Sequence, residues 1–226
     1  DFTLYDNSPC IGTGQDGVNM GAYEVGCTPR TDFDGKSIAV TQDGEGYLYN
    51  SITDSWSEIS DPPTDDNVYA LAFDNESKLA VLVDLAGPGN TDAVGYDYST
   101  DTWIDLPDPN TNNVYGGITY DVESDRIILV PSDEFAPMAY DHNSGTWETL
   151  SNYIEESFFG TSAILRGCAY DIQSDRVICV SDRGYTQSYD YNTDTWENRE
   201  DAPSGPESHG SAVAYDIAND RIALIA

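Results

Sequence analysis

The side chains able to do chemistry in this sequence are overwhelmingly carboxylates: 41 Asp and Glu stand against nine Lys and Arg, two His and four Cys. Carboxylates in such number can gather the six to eight oxygens that Ca2+ requires, or work in pairs as general acid and base. Two loops concentrate them, Asp61-Pro62-Pro63-Thr64-Asp65-Asp66-Asn67 and Asp84-Leu85-Ala86-Gly87-Pro88-Gly89-Asn90-Thr91-Asp92. Asp61, Asp65, Asp66, Asp84 and Asp92 are therefore the Ca2+ candidates, although no EF-hand spacing is met. Solvated turns are the alternative reading of the same loops. No two acids stand apart from the rest as a glycosidase pair. His142 and His209 have no third ligand at a metal-binding spacing, so both read as solvated loop residues. The Gly-x-Ser-x-Gly elbow of the serine hydrolases is missing. No catalytic residue and no required cofactor is expected from this inventory.

The formal net charge of −32 excludes whole classes of partner. Nucleic acid and anionic membrane surfaces both need Lys and Arg to displace their counterions, and this chain repels them. The acidity serves either solvation in a salty setting or the recruitment of divalent cations. No apolar run approaches the roughly 20 residues that span a bilayer, and no signal peptide is visible. The chain opens mid-pattern at Asp1 and stops inside the apolar run Arg221-Ile222-Ala223-Leu224-Ile225-Ala226, so it reads as a piece of something longer.

Cys10, Cys27, Cys168 and Cys179 lack the spacing of zinc knuckles or redox motifs. Geometry places one pair. If Gly167-Cys168-Ala169-Tyr170-Asp171 turns over Ile172-Gln173-Ser174-Asp175 and returns as Arg176-Val177-Ile178-Cys179, with Asp171 facing Arg176, then Cys168 faces Cys179 within disulfide reach. A disulfide there implies an oxidising, extracytoplasmic location; two buried thiols are the alternative.

The elements that position these residues announce themselves by repetition. Tyr49-Asn50-Ser51-Ile52-Thr53-Asp54-Ser55-Trp56 recurs as Tyr96 to Trp103, Tyr140 to Trp147 and Tyr189 to Trp196, with each Tyr seven residues before its Trp. This spacing predicts a β-hairpin tip in which Asp190 faces Thr195 and Tyr189 faces Trp196. An aromatic cross-strand pair contributes roughly 0.2–1 kcal/mol. A second marker keeps the same rhythm: Phe33-Asp34, Phe73-Asp74, Tyr120-Asp121, Tyr170-Asp171 and Tyr215-Asp216, each followed by a turn, a basic residue and an apolar strand. Across that hairpin Asp121 opposes Arg126, Asp171 opposes Arg176 and Asp216 opposes Arg221, pairs expected to fix register more than stability. Each unit therefore holds four antiparallel strands, A to D, in roughly 47 residues, which is the size of a propeller blade.

Tyr-Asp-x-x-Thr-x-x-Trp after an apolar strand, at this period, resembles the kelch repeats of β-propellers over residues 30–226. The paired Gly of kelch strands is replaced here by Val130-Pro131-Ser132 and Val180-Ser181-Asp182. The resemblance implies an all-β propeller of four-stranded blades at about 30–62, 63–108, 109–152 and 153–203, with a half-blade at 204–226. Residues 1–29 form a turn-rich tail. Its Ser8-Pro9-Cys10-Ile11, Gly12-Thr13-Gly14 and Met20-Gly21-Ala22-Tyr23-Glu24 resemble the closing segment of secreted right-handed parallel β-helix domains, where Cys10 and Cys27 would pin the tail. Such a half-blade is expected to belong to a truncated larger propeller, to a five-bladed ring closed by residues 2–6 and 20–25, or to an array completed by another chain.

The variable B-to-C loops, including Pro131 to Pro137 and Ser181 to Tyr185, are where binding is expected on a rigid repeat. The 16 Tyr offer carbohydrate-stacking area, although most belong to the repeat itself. The function expected is an extracellular or cell-surface binding or adhesion module, without catalysis, for a protein or glycan. The alternatives are a part of a polysaccharide-active enzyme, and a structural subunit joined through its open propeller edge.

Overall fold

A computed structural model of the chain describes residues 35–41, 43–64, 69–84, 91–109, 111, 116–131, 136–152, 164–202 and 212–225. The expectations for residues 1–29, Cys10, Cys27, Asp65, Asp66 and His209 lie outside these residues. Every regular element described is a β-strand. The first three, β1 (Lys36–Val40), β2 (Gly46–Asn50) and β3 (Ser55–Glu58), form one sheet. Two four-stranded sheets follow: β4 (Tyr69–Asp74) to β7 (Thr102–Leu106) through β5 (Leu79–Asp84) and β6 (Ala93–Asp97), then β8 (Gly116–Asp121) to β11 (Thr146–Thr149) through β9 (Arg126–Pro131) and β10 (Met138–Asp141). The fourth sheet runs β12 (Leu165–Asp171), β13 (Arg176–Ser181), β14 (Thr186–Asp190) and β15 (Thr195–Asn198), and β16 (Ala212–Asp216) with β17 (Arg221–Ile225) ends the chain. In each four-stranded sheet spatial order equals chain order, so every connection is a hairpin. The chain divides into two compact units, residues 1–37 with 49–56, and residues 38–48 with 57–226.

The second unit explains why strand B is apolar on both faces. Ile127 and Leu129 of β9 pack with Val81 and Val83 of β5 on one side. Ile128 and Val130 pack on the other side with Val177 and Cys179 of β13. The third sheet is thus sandwiched, and a period-2 alternation would have put polar groups into one of the two cores. All six residues of β5 are buried. Each fully buried Val, Leu or Ile contributes about 1.5–3 kcal/mol. The fourth strands β7, β11 and β15 are mostly exposed.

Successive sheets meet through their first strands: β4 lies against β8, β8 against β12, and β12 against β16. Close approach is written into these strands as small residues three and one places before the marker aromatic: Ala70 and Ala72, Gly117 and Thr119, Gly167 and Ala169, Ala212 and Ala214. A Cβ at Gly117 would stand 2.7 Å from the backbone nitrogen of Cys168 and 2.6 Å from its Sγ. Beside it, Thr119 accepts the Tyr170 backbone N–H at 3.1 Å, tying β8 to β12.

Candidate binding surface

In the four-stranded sheets the A–B and C–D hairpin tips lie at one end of the strands, and strands B and C connect at the other. Six of the eight described tips, all but those of Phe73 and Tyr140, share a construction, with Asn50 in place of the first Asp in one of them. The marker aromatic is followed by an Asp whose Oδ1 accepts two backbone N–H groups of the turn; Asp121 takes those of Glu123 and Ser124, and Asp190 those of Asn192 and Thr193. Four residues further on, Asp54, Asp101, Asp125, Asp175, Asp194 and Asp220 adopt positive φ between 50° and 56°. Asp tolerates this left-handed geometry better than most residues. The same Asp accepts a hydrogen bond from the marker Tyr, as Tyr96 to Asp101 (2.9 Å), Tyr170 to Asp175 (2.7 Å) and Tyr189 to Asp194 (2.8 Å) illustrate. Tyr-x-x-x-x-Asp is therefore the working motif of both hairpins, a spacing that was present in the sequence but hidden behind the more conspicuous Trp.

The electrostatics follow from these bonds. Burial, then the bond to Asp101, raises the Tyr96 hydroxyl above its ordinary value of 10.0, and burial with the Asp194 bond does the same at Tyr189. At Asp101 the Ser60 backbone N–H and the Tyr96 hydroxyl hold the carboxyl low. Burial pushes Asp194 up, but its bonds from Tyr189, Ser151 and Asn152 together outweigh that and hold it below the usual carboxylate range. Asp121, only 2% exposed, is raised because burial dominates.

The predicted pairings stand in the ladder: Tyr96 opposite Trp103, Tyr140 opposite Trp147, and Tyr189 opposite Trp196, with Asp190 opposite Thr195. Their ring centroids lie 5.0, 5.1 and 4.8 Å apart, and in the first unit Tyr49 and Trp56 lie 5.0 Å apart. Each of the three later indoles also donates to a backbone carbonyl at the exit of the preceding sheet. Trp103 bonds Ser60 at 2.7 Å, Trp147 bonds Pro107 at 2.6 Å, and Trp196 bonds Asn152 at 3.1 Å. The Trp is thus a staple between neighbouring sheets as well as half of an aromatic pair.

Asp121, Asp171 and Asp216 do stand opposite Arg126, Arg176 and Arg221 in register. The ion pairs form elsewhere. Arg126 reaches Asp141 at 3.2 Å and Arg176 reaches Asp190 at 3.0 Å, each on the neighbouring C strand. Backbone carbonyls of Asp125 and Asp175 hold the other end of each guanidinium, while the opposing Asp is already occupied by its turn. Cys168 and Cys179 face each other and are joined in a disulfide. Their counterparts in other sheets are the apolar pairs Leu71 with Leu82, Ile118 with Leu129 and Val213 with Leu224.

Of the cation candidates, Asp61, Asp84 and Asp92 are described. Asp61 accepts the Gly46 backbone N–H at 3.1 Å. Asp108 and Asp201 do the same for Ala93 and Thr186, so this Asp caps the start of strand C in three sheets. Asp84 is 1% exposed, and its backbone N–H bonds the Asp92 carbonyl at 2.8 Å. Among the described residues no group of three or more His, Cys, Asp or Glu is placed to hold a metal ion. His142 sits at a hairpin tip, its ring edge-on to Tyr140 at 6.3 Å.

At the loop end, the fourth sheet departs from its neighbours. Where β6 carries Ala93-Val94-Gly95, β14 carries buried Thr186-Gln187-Ser188. Arg199 donates to Ser188 at 2.7 Å, Arg166 lies 3.8 Å from Asp182, and Ser181 Oγ accepts the backbone N–H groups of Arg183 and Tyr185. The B–C loop expected to be variable is thus a tightly bonded turn in this sheet. A polar strand C carried no repeat signature by which the sequence could flag it. Among the described residues no helix is long and apolar enough to cross a membrane. Comparison with protein-family models and with curated proteins finds no match for this chain.

Proposed function

We propose that the chain is part of a kelch-like β-propeller, secreted or held at the cell surface, that binds a protein or glycan without acting on it. The observation that carries this reading is the repeated indole staple, from Trp103, Trp147 and Trp196 to the exits of the preceding sheets. A bond repeated in this way ties each sheet to the one before it, as neighbouring blades of a propeller would be tied. The small residues of the first strands support the same reading, because strands that converge near an axis must approach closely. The disulfide supports an oxidising compartment.

Two measurements test this. Negative-stain electron microscopy is expected to show ring or arc particles with radial spokes. A glycan array together with an acidic-polysaccharide digest is expected to give binding without new reducing ends; reducing ends released in proportion to protein would replace this reading with an enzymatic one.

A further inference from the structure

The A–B turns carry a feature that their own construction does not demand. Two places after the marker aromatic the residues are Asn75, Val122, Ile172 and Ile217. The first shows that a polar side chain serves this turn. The next three are β-branched apolar residues, which prefer strands to turns, and they are 43%, 40% and 69% exposed. Each leaves 40% or more of its surface open among the described residues, and the turn's hydrogen bonding does not use their side chains.

They hold the same place in three neighbouring turns. The three turns have the same register, with Tyr120 opposite Ile127, Tyr170 opposite Val177 and Tyr215 opposite Ile222. The strands carrying them lie side by side. Asn192 shows how near two of the tips are, since its amide donates to Asp175 at 3.0 Å and to Glu123 at 3.4 Å. The Tyr215 hydroxyl likewise reaches Asp171 of the preceding tip as well as its own Asp220. Three apolar side chains thus stand in consecutive tips, flanked by Glu123, Asp125, Asp171, Asp175, Asp216 and Asp220.

We infer that this end of the last three sheets docks a cationic amphipathic segment of a partner protein, with Lys or Arg alternating with apolar residues. The inference rests on the binding-module reading and names the partner class and the surface. Charge selects the sign: in a chain of net charge −32 the acids around these residues attract cations and repel acidic ligands. The apolar residues select the pattern, because a purely cationic segment leaves Val122, Ile172 and Ile217 in water, while interleaved apolar side chains cover them.

The test uses two labelled twelve-residue peptides of equal charge, one alternating Lys with Leu and one alternating Lys with Ser, followed by fluorescence anisotropy near physiological salt. The chain is expected to bind the Lys–Leu peptide about tenfold more tightly, a difference of about 1.4 kcal/mol. The triple variant Val122→Asn, Ile172→Asn, Ile217→Asn leaves the net charge unchanged and copies the residue already used at position 75. It is expected to abolish the preference while keeping the weaker Lys–Ser affinity, with an unaltered circular dichroism spectrum. Should the triple variant fail to fold, Ile217→Asn alone, at the most exposed site, is expected to reduce the preference about threefold. Equal affinity of the chain for both peptides, or a preference that survives the substitutions, overturns the inference. A glycan bound in the array alongside equal peptide affinities sinks this surface assignment and leaves the binding-module reading standing.

Discussion

A single hydrogen bond, Tyr hydroxyl to left-handed Asp, recurs at Tyr49, Tyr96, Tyr120, Tyr170, Tyr189 and Tyr215. It stabilises a backbone conformation that a non-Gly residue adopts only at some cost, and it gives an acidic chain a neutral donor for its carboxylates. Tyr189→Phe removes one such bond beside two backbone donors that remain on Asp194. A loss of about 1.5 kcal/mol is expected in urea unfolding, the lower end for hydrogen bonds to charged groups. The set also predicts alkaline behaviour. Tyr189, Tyr170, Tyr96 and Tyr120 are raised above 10.0, chiefly by burial, and Tyr215 is raised by burial and Asp220 to about 12. Below pH 10 the protons are held in folded and unfolded chains alike, and the stabilisation is complete. As pH rises from 10.0 through about 12 the unfolded chain releases its Tyr protons first, so folding stability falls. Part of the growth in absorbance at 295 nm is expected to coincide with loss of the far-ultraviolet dichroism; ionisation of all 16 Tyr with the fold intact would contradict this.

At the scale of strands, the first strand of each sheet carries the tightest requirement. Gly117→Val forces a side chain against the β12 backbone, which cannot swing aside as a side-chain tip can. A loss of about 3 kcal/mol is expected from thermal and urea unfolding, the upper part of the range for overpacked positions. The disulfide is the opposite case. It occupies the place of an apolar pair, and in the last hairpin Val213 and Leu224 fill the same positions. Cys168→Val with Cys179→Leu is expected to stay folded with a loss below about 3 kcal/mol, the contribution of closing a short loop. An unfolded double variant at room temperature would show that the bond, and not the pair's shape, holds β12 to β13.

For the whole molecule, net charge governs how stability responds to solution. Forty-one carboxylates repel one another, and raising salt from 0.1 M to 1 M shortens the screening length from about 10 Å to about 3 Å. The urea midpoint is therefore expected to rise steeply with NaCl, and guanidinium chloride, itself a salt, is expected to report a higher stability than urea. A flat response would mean that the ion pairs and hydrogen bonds of the tips already neutralise the repulsion. The same screening weakens the attraction proposed for cationic segments, so folding and docking should respond to salt in opposite directions.

Much of this architecture is local and was therefore legible in the residues. A hairpin's register depends on its turn and on the alternation of its strands, and so Tyr189 opposite Trp196 and Cys168 opposite Cys179 could be read before any coordinates. The all-β class, the two hairpins per unit and the apolar B strands follow from the same short-range chemistry. Contacts between sheets join residues about 40 or more positions apart, and no spacing rule announces them. Trp103 to Ser60 and the gathering of Val122, Ile172 and Ile217 in consecutive tips were decided only when the sheets packed, and within one sheet so was the reach of Arg126 to the neighbouring C strand rather than the opposing Asp. The physical reason is that a turn chooses among a few backbone conformations by itself, whereas a side chain with several partners in reach takes the one that packing leaves unoccupied.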